Sequence, residues 1–443
     1  MHVNVESAKK LCPQSRLSLL GSGRAVAHKS VGRFLREKTA GNAKLLAACA
    51  ILSFIPLTLG YSVEHDISVR IAQSSTQIVL IILCFVILST GRAKFGWDKK
   101  TAVFVASCIG VAQFLAVSHN SSDEKNYIMP LVFPLFLLAG PIALSLAQDI
   151  RVERNGKSVA KIGRFLLGFF CVECATRYLL SPFVRANLNV AVFGSEQVDT
   201  DWLYRYKQSI FFPDSNSVGL ALLCLIAVLL VFRQHFRKGH VFLAYALVGA
   251  TLSRASITAA ICQLFIYKFW RWRRWILLVT IIAVPLLLSS LFTIYSTEGA
   301  DTLAAVDGSF ASKFQILQQM VGVWSEADTL QKLVGIGAGN TEGVIGMAAH
   351  SIVAGFTLEL GLVGSALVIA YVWLLSRRSC KAFYLLTLPI IINGVSLILT
   401  SMPYFYVTLG FLSAVTDQRV QNLLRERCLP GPLKSATEPY TRG

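Results

Sequence analysis

Residues 127–147 read YIMPLVFPLFLLAGPIALSLA, a run without a single charged side chain. About 20 such residues form a helix that crosses the hydrocarbon core of a bilayer. Similar runs recur along almost the whole chain, which has 54% hydrophobic and only 15% charged residues. A soluble domain usually carries about a quarter charged residues. The sequence therefore predicts an all-α integral membrane protein.

Working outward from this run, the hydropathy pattern predicts about twelve transmembrane helices. They lie in a membrane domain over 43–418, between a basic tail over 1–42 and a second tail over 419–443. The first tail lacks a continuous apolar core followed by a cleavage site, so it is not predicted to be a signal peptide. The predicted spans are 44–62, 71–90, 101–118, 127–147, 163–180, 212–232, 240–252, 255–270, 275–293, 351–375, 383–399 and 403–417.

The distribution of Lys and Arg sets the predicted orientation. With the N-terminus in the cytoplasm, nine cations fall on the outer side, which leaves 33 of the 42 on the inner side. Both termini are therefore expected in the cytoplasm, with long outer loops at about 181–211 and 294–350. Because the net charge of +18 is spread over short segments between apolar runs, nucleic acid is excluded as a partner. The nine outer cations are Arg70, Lys125, Arg177, Arg185, Arg205, Lys207, Arg254, Lys313 and Lys332.

The second outer loop contains a predicted amphipathic helix over 312–324. One helical face is expected to lie on the membrane surface or on the bundle. The chain has no internal repeat, which weakens the prediction of a transporter built from related halves. The residues that share the helical face are Phe314, Leu317, Met320, Val321 and Trp324.

Ionisable groups beside a bilayer are costly and are therefore functional candidates. The first group lies in residues 205–216, RYKQSIFFPDSN, which lead into the sixth span from outside. Arg205 suits a phosphate through its planar guanidinium. Asp214 and Asn216 lie near the helix start, where the alternative role for each is a plain helix N-cap.

The second group is TLSRAS at 251–256, between the seventh and eighth spans. Arg254 is a lone cation at the outer boundary, and the alternative reading is an arginine that extends to the interface. The third is His350-Ser351, which leads into the tenth span. The imidazole of His350 can accept a proton from a hydroxyl near neutral pH, whereas the alternative is an interfacial histidine that caps a helix.

Further candidates lie in the tenth span and just before it. Gly361 and Gly364 are three positions apart, which lets another helix or a lipid chain approach closely. Glu359 must pair with a cation or a backbone donor, and whether that role is structural stays open. The glycine-rich stretch 335–339 is expected to form a turn that positions His350. No cluster of His, Cys and carboxylates has metal-ligand spacing, so no metal is expected.

Cations at the outer face of an apolar bundle suit a phosphate-bearing lipid, and a histidine there suits activation of a hydroxyl. Transfer of a sugar from a lipid pyrophosphate needs both groups. Arginines stabilise the charge of the departing pyrophosphate, and a base accepts the proton of the acceptor hydroxyl.

These motifs resemble those of the O-antigen ligase and polymerase superfamily of bacterial polysaccharide assembly, over about residues 200–420. FPDSN at 212–216 is similar to the family's Pro/Asp-x-Asn approach to a central span. LSRAS at 252–256 is similar to its Ser-Arg turn. His350-Ser351, followed after nine residues by GLVG at 361–364, is similar to the ligase pattern.

The resemblance implies a metal-independent, inverting glycosyl transfer at the periplasmic face of the inner membrane, without a cofactor. The donor would be an oligosaccharide on undecaprenyl pyrophosphate, contacted by Arg254, Arg205 and Arg185. The family histidine falls on His350. Two features depart from the family: many relatives have Asn where Ser351 stands, and the Arg-Gly spacing of some polymerases is absent around Arg205.

The resemblance favours a polymerase that joins lipid-linked repeat units in exopolysaccharide or O-antigen synthesis. A ligase that transfers glycan to lipid A core is the alternative within the family. A polysaccharide transporter or lipid flippase is the alternative of another class, and a non-catalytic assembly partner is a third reading. Expected partners are membrane lipid and the flippase and chain-length regulator of the same pathway.

Overall fold

The computed structural model of the chain describes residues 40–55, 75–93, 96–120, 127–149, 152–192, 209, 211–212, 215–279, 282, 286, 316–345, 351–377, 379–394 and 402–428. Helix accounts for about 89% of these residues, and none of them lies in a strand. The predicted all-α class is therefore confirmed. The chain divides into two units, Met1–Gly41 and Asn42–Gly443, and every contact described below lies within the second.

The helices are numbered α1 to α15 in chain order. They are α1 Ala40–Phe54, α2 Ser75–Ser89, α3 Trp97–His119, α4 Ile128–Asp149, α5 Val152–Val192, α6 Ser215–Val231, α7 Lys238–Ala250, α8 Arg254–Lys268, α9 273–279, α10 316–326, α11 Thr329–Val334, α12 Thr341–Ile345, α13 Ile352–Ser376, α14 Cys380–Asn393 and α15 Pro403–Cys428. Two of them change their winding: α13 contains a π-helical turn at Gly355–Leu360, and α14 contains one at Phe383–Thr387.

Three of the described helices are long and apolar enough to cross a membrane: Trp97–His119, Ile128–Gln148 and Ile352–Ser376. Five others are apolar but shorter, and the described residues therefore do not reach the predicted count of twelve. Hydropathy measures how far an apolar sequence extends, whereas the helix ends are set by local backbone geometry. Thus α7 has 13 residues and α8 has 15. At 1.5 Å per residue they span roughly 20 Å, short of the ~30 Å hydrocarbon core.

The helix α5 extends beyond the predicted end of the fifth span at 180 and continues to Val192. The prediction placed the end of the span where hydropathy falls. A fall in hydropathy marks a change of environment and does not by itself end a helix. Pro182 lies within the helix, and the sequence from 183 to 192 contains neither Gly nor a further Pro.

The core of the bundle is built around α6 and the crossing of α4 with α15. Almost every residue of α6 is buried. At the crossing, a Cβ placed on Gly410 would overlap the carbonyl oxygen of Gly140. The hydroxyl of Tyr371 in α13 donates to the carbonyl of Leu137 beside this contact. Small residues allow helix backbones to approach closely when the surroundings are apolar.

One end of the bundle is basic and aromatic, and we call it the basic end. Asp98 at the start of α3 pairs there with Arg377, just after α13. Arg233 donates to the Tyr267 hydroxyl at 3.0 Å. Arg273 stacks over the Trp270 ring, with its guanidinium carbon 4.7 Å from the ring centre. The opposite end, where α6, α8 and α13 begin, is called the site end.

Substitution of Gly410 by Ala is expected to lower the stability of the bundle by about 1–3 kcal/mol, because the added methyl group overpacks a helix crossing. Thermal unfolding in detergent measures the effect. Gly168→Ala is the matched control, because a Cβ at this exposed α5 position has no heavy atom within 4 Å. Equal melting temperatures for the two variants would contradict the close contact.

Candidate functional site

Two of the three sequence motifs meet at the site end through hydrogen-bonded side chains. Ser253 Oγ donates to Asn216 Oδ1 at 2.7 Å, which joins the start of α8 to the start of α6. Ser256 Oγ lies 2.9 Å from Ser253 Oγ and 3.0 Å from Asn393 Oδ1 at the end of α14. We call these four residues the polar junction. The junction brings three helices together within an otherwise apolar core.

The turn before Arg254 is fixed by its own hydrogen bonds. Thr251 Oγ1 accepts from the N–H of Ser253, and Ser253 Oγ accepts from the N–H of Ser256 as the N-cap of α8. Leu252 between them has φ of +55°. A left-handed conformation costs a non-glycine residue roughly 1–2 kcal/mol, so the surrounding contacts must hold it. The result is a defined start for α8, where Arg254 is exposed at the first helical position.

Asn216 does not have the capping role that was the alternative reading. It lies inside α6, which begins at Ser215, and its Oδ1 accepts a hydrogen bond from another helix. Its side chain therefore connects α6 to the Ser-Arg turn. Polar pairing between helices is the usual way to satisfy such groups in apolar surroundings.

The third motif begins beside the junction. Ser351 caps α13, with its Oγ accepting from the N–H of Val353 at 3.3 Å. Ile352 packs against Gly394, the neighbour of Asn393, such that a Cβ at Gly394 would lie 3.0 Å from the Ile352 Cβ. The structure therefore brings the start of α13 to the same place as the other two motifs.

Several predicted site residues lie outside this description. His350, Arg205 and Asp214 are not among the described residues. Arg185 lies in the last part of α5, in a segment whose side chains are also outside it. Their predicted roles stay predictions. Arg254, Asn216 and Ser351 are the motif residues whose positions are defined at the site end.

Sequence reasoning missed a buried ion pair near the same turn. Arg177 Nε lies 3.3 Å from Glu173 Oε1, and both side chains are about 1% exposed. Ser209 Oγ donates to the same carboxylate oxygen at 2.7 Å and accepts from the N–H groups of Phe211 and Phe212. The segment that leads into α6 is thereby fastened to α5.

The same part of α5 also contacts the Ser-Arg turn. The hydroxyl of Tyr178 donates to the carbonyl of Ala250, the last residue of α7, at 2.8 Å. The spacing of Glu173 and Arg177, four positions apart within an apolar run, was the signal that could have revealed the pair. Asn393 was missed as well, although an asparagine inside an apolar run carries a similar signal.

Glu359 is held by a glycine-rich loop. Its Oε1 accepts from Thr341 Oγ1 at 2.8 Å, and its carbonyl accepts from Gln113 Nε2 at 3.2 Å and from the N–H of Gly337 at 3.1 Å. The Gln113 side chain also accepts from the N–H of Ala338 at 2.7 Å. These bonds join α3 and α13 to the loop 335–340. We call this hydrogen-bonded network the glycine clamp. The Glu359 carboxyl is thus bonded by the Thr341 hydroxyl and by the backbone N–H groups of Gly339 and Thr341, so backbone donors are among its partners.

The two glycines of the ligase-like pattern have different surroundings. Gly361 has φ of +63°, and a Cβ there would lie 2.5 Å from the Gly335 nitrogen and 2.6 Å from the Leu333 carbonyl oxygen. The group that approaches Gly361 is therefore the loop after α11, instead of the expected helix or lipid chain. A Cβ on Gly364 would contact only Leu360 of its own helix.

The predicted amphipathic helix exists as α10, with a different buried face. Ile316 and Met320 are buried with Ala354 and Leu358 of α13, and Leu317 and Trp324 pack against this cluster. Val321, which was predicted on the same face, is 57% exposed. The helix therefore packs on the bundle beside α13, one of the two placements that the sequence allowed.

Asp328 connects this outer segment to α3. Its Oδ1 accepts from the N–H of Gln331 as the N-cap of α11, and its Oδ2 lies 2.7 Å from His119 Nε2. The backbone hydrogen bond from Gln331 and the hydrogen bond with His119 lower the pKa of the Asp328 carboxyl. A carboxylate with a lowered pKa stabilises the fold above its unfolded pKa and loses that contribution as the pH falls through its folded pKa.

The described residues thus define an all-α protein with helices suited to cross a membrane and a buried polar junction at one end. Comparison with known proteins adds no family to this class: no protein-family model matches the chain, and no curated protein matches it.

Thr341→Val is expected to destabilise the protein by about 1–3 kcal/mol, because the Glu359 carboxyl stays buried without its hydroxyl donor. Thr341→Ser should retain most of the stability. Thermal unfolding in detergent provides the measurement, with Thr329→Val as a control at an exposed position of the same segment. A melting temperature unchanged in Thr341→Val would show that the hydroxyl does not support the clamp.

Acid is expected to loosen α11. Below about pH 4, protonation of Asp328 removes the charged cap, so the amides of 329–334 should exchange faster after correction for their intrinsic rates. Hydrogen–deuterium exchange measures this change. Asp328→Asn keeps a cap oxygen without the charge, and its protection should depend less on pH. The same pH dependence in both proteins would exclude Asp328 as the cause.

Proposed function

We propose that the chain is a polysaccharide polymerase that joins undecaprenyl-pyrophosphate-linked repeat units at the periplasmic face of the inner membrane. The observation that supports it is the polar junction, which fixes the start of α8, and with it Arg254, beside Asn216 and the start of α13. The three motifs of the family resemblance thus converge although they lie far apart in the sequence.

In the proposed reaction, Arg254 and Arg205 bind the pyrophosphate of the donor, with Arg185 as a third cation. A guanidinium binds phosphate oxygens through two parallel hydrogen bonds and stabilises the charge that accumulates on a departing pyrophosphate. Ser351, the residue that follows His350 in the sequence, caps α13.

The bond changes follow from this arrangement. The acceptor sugar hydroxyl attacks the anomeric carbon of the donor glycan from the face opposite the pyrophosphate, and its proton passes to His350. The bond between the anomeric carbon and the phosphate oxygen breaks, and undecaprenyl pyrophosphate leaves with the electron pair. The configuration at the anomeric carbon is inverted, and no metal takes part in the proposal.

The proposal includes a topology of twelve spans with both termini in the cytoplasm. Its support is the different character of the two ends of the bundle. The basic end contains Arg233, Arg273 and Arg377, whereas the site end contains Arg254 and the neutral side chains of the polar junction. Cytoplasmic ends of membrane proteins carry the excess of Lys and Arg. The site end is accordingly assigned to the periplasm.

Arg254→Ala and His350→Ala are each expected to reduce long-chain polysaccharide synthesis by about 10²–10³-fold, the range seen when a group that stabilises a transition-state charge is removed. Arg254→Lys should recover only part of the activity, because it keeps the charge without the planar guanidinium. Chain length is read on gels of polysaccharide from cells in which each variant replaces the wild-type protein.

Arg237→Ala is the matched control, an exposed arginine at the basic end, and it should leave chain length unchanged. Membrane levels of every variant must equal the wild type. Normal chain length in both Arg254→Ala and His350→Ala would refute the catalytic assignment.

Deletion of the gene for this protein separates the possible functions. If the protein is a polymerase, the deleted cells should contain single repeat units. Long glycan retained on the lipid carrier would identify a ligase instead, and repeat units trapped in the cytoplasm would identify a flippase.

A further inference from the structure

An apolar cleft of about 80 Å³ lies between α1, α4, α5, α6 and α15. Small side chains of α1 form one wall, namely Ala43, Ala47 and Ala50. Only Ser158 and Thr408 contribute hydroxyl groups to the lining. An apolar cavity of this kind does not hold ordered water, and an empty one forfeits the dispersion contacts of its walls. The cleft therefore suits an apolar chain.

The cleft lies in the half of the bundle nearer the basic end. Its α6 residues come from the second half of that helix, including Leu225 and Phe232. On the other side, Phe54 closes the cleft, and its ring centre lies 5.6 Å from that of Tyr404 at the start of α15. Tyr404 donates in turn to the carbonyl of Ser217, near the polar junction. The cleft thus stops before the site end.

The α1 wall of the cleft is about as long as one leaflet of a bilayer is thick. From Ala43 to Phe54 the wall covers eleven helical rises, or about 16 Å at 1.5 Å per residue. Half of a ~30 Å hydrocarbon core is about 15 Å, the reach of one phospholipid acyl chain. An acyl chain that enters at the basic end and lies along this wall would therefore reach Phe54.

Exposed cations flank the lining residues at the basic end. Lys44 follows Ala43, Lys157 precedes Ser158, and Lys161 precedes Ile162. Basic groups beside a crevice between membrane helices suit an anionic headgroup, because each Lys near the surface of an anionic membrane contributes about 1 kcal/mol of attraction. Charge and length together indicate one class of ligand.

We propose that an anionic phospholipid binds in this cleft, with one acyl chain against Ala43, Ala47 and Ala50 and its phosphate beside Lys44 and Lys157. This site is separate from the proposed glycan-transfer site, which lies at the opposite end of the bundle. The lipid would stabilise the packing of α1 on α5 and α15. The proposal does not depend on the enzymatic activity of the chain.

The first experiment uses a matched pair of neighbouring alanines. The full-length protein is purified in detergent, and its retained lipid is extracted and quantified. Ala47→Phe places a ring in the cleft and is expected to retain at least about tenfold less phosphatidylglycerol, because the acyl chain can no longer be buried. Ala48→Phe changes the adjacent residue, which does not line the cleft, and should retain as much as wild type. Equal retention in both variants would overturn the proposal.

A second experiment keeps the wild-type sequence, so it stays informative if Ala47→Phe fails to fold. Phosphatidylglycerol with a photoactivatable group at the end of one acyl chain should cross-link within 43–54 or 158–166. Phosphatidylcholine with the same group should label these peptides much less. Equal labelling by both lipids, or labelling elsewhere only, would overturn the proposal.

The headgroup assignment has its own test. Lys44→Gln with Lys157→Gln should weaken the rise in melting temperature that added phosphatidylglycerol causes, whereas Lys100→Gln, an exposed lysine at the start of α3, should not. An undiminished rise in the double variant would refute the headgroup site. Recovery of a polyprenyl lipid instead of a phospholipid from the wild-type protein would refute the chosen ligand.

Discussion

The hydrogen bond from Ser253 to Asn216 holds the site end together, because it pairs two polar groups that are surrounded by apolar side chains. In apolar surroundings a buried polar group must find its partner within the protein, because neither lipid nor water supplies one. Ser253 meets this requirement in three ways at once: it donates to Asn216, it contacts the Ser256 hydroxyl, and it caps α8. A single side chain therefore sets both the position and the starting point of the helix that carries Arg254.

The glycine clamp is a second network in which buried polar groups find their partners within the protein. The glycine clamp uses Gln113 of α3 and Glu359 of α13 to hold the loop 335–340. The polar junction and the clamp share α13, because its first residues pack near Asn393 and its second turn carries Glu359. The two networks therefore hold the first two turns of α13 from both sides.

The sequence predicted those features of the fold and the candidate site that depend on residues close together in the chain. The apolar runs predicted the helices, and the Ser-Arg turn and the FPDSN segment were recognisable as short patterns. The sequence could not show that Asn393 and Ser256 meet, because their contact joins residues 137 positions apart. It also could not show the π-helical turn at Gly355–Leu360, which has no simple sequence periodicity. Helix ends were wrong for a similar reason, since hydropathy does not encode where α5 stops.

Positive φ angles are concentrated at the site end of the bundle. Among the described residues, positive φ angles occur at Leu252, Gly335, Gly337, Gly339 and Gly361, all at the site end, and otherwise only at Gly91. All of these positions except Leu252 are glycines, which adopt such angles without a steric penalty. Leu252 is different, because a leucine in this conformation persists only where neighbouring contacts impose it.

Those contacts are the hydrogen bonds of Thr251 and Ser253 on either side of Leu252. The strained residue thus lies in the turn that leads to Arg254. The hydrogen bonds of Thr251 and Ser253 compensate for the strain, and these buried groups must form them because the surrounding core is apolar. A relaxed turn would serve equally well if the only task were to connect α7 to α8. If the chain has the function proposed above, the strained turn would serve to hold Arg254 in one place, as binding of a phosphate by a fixed charge requires.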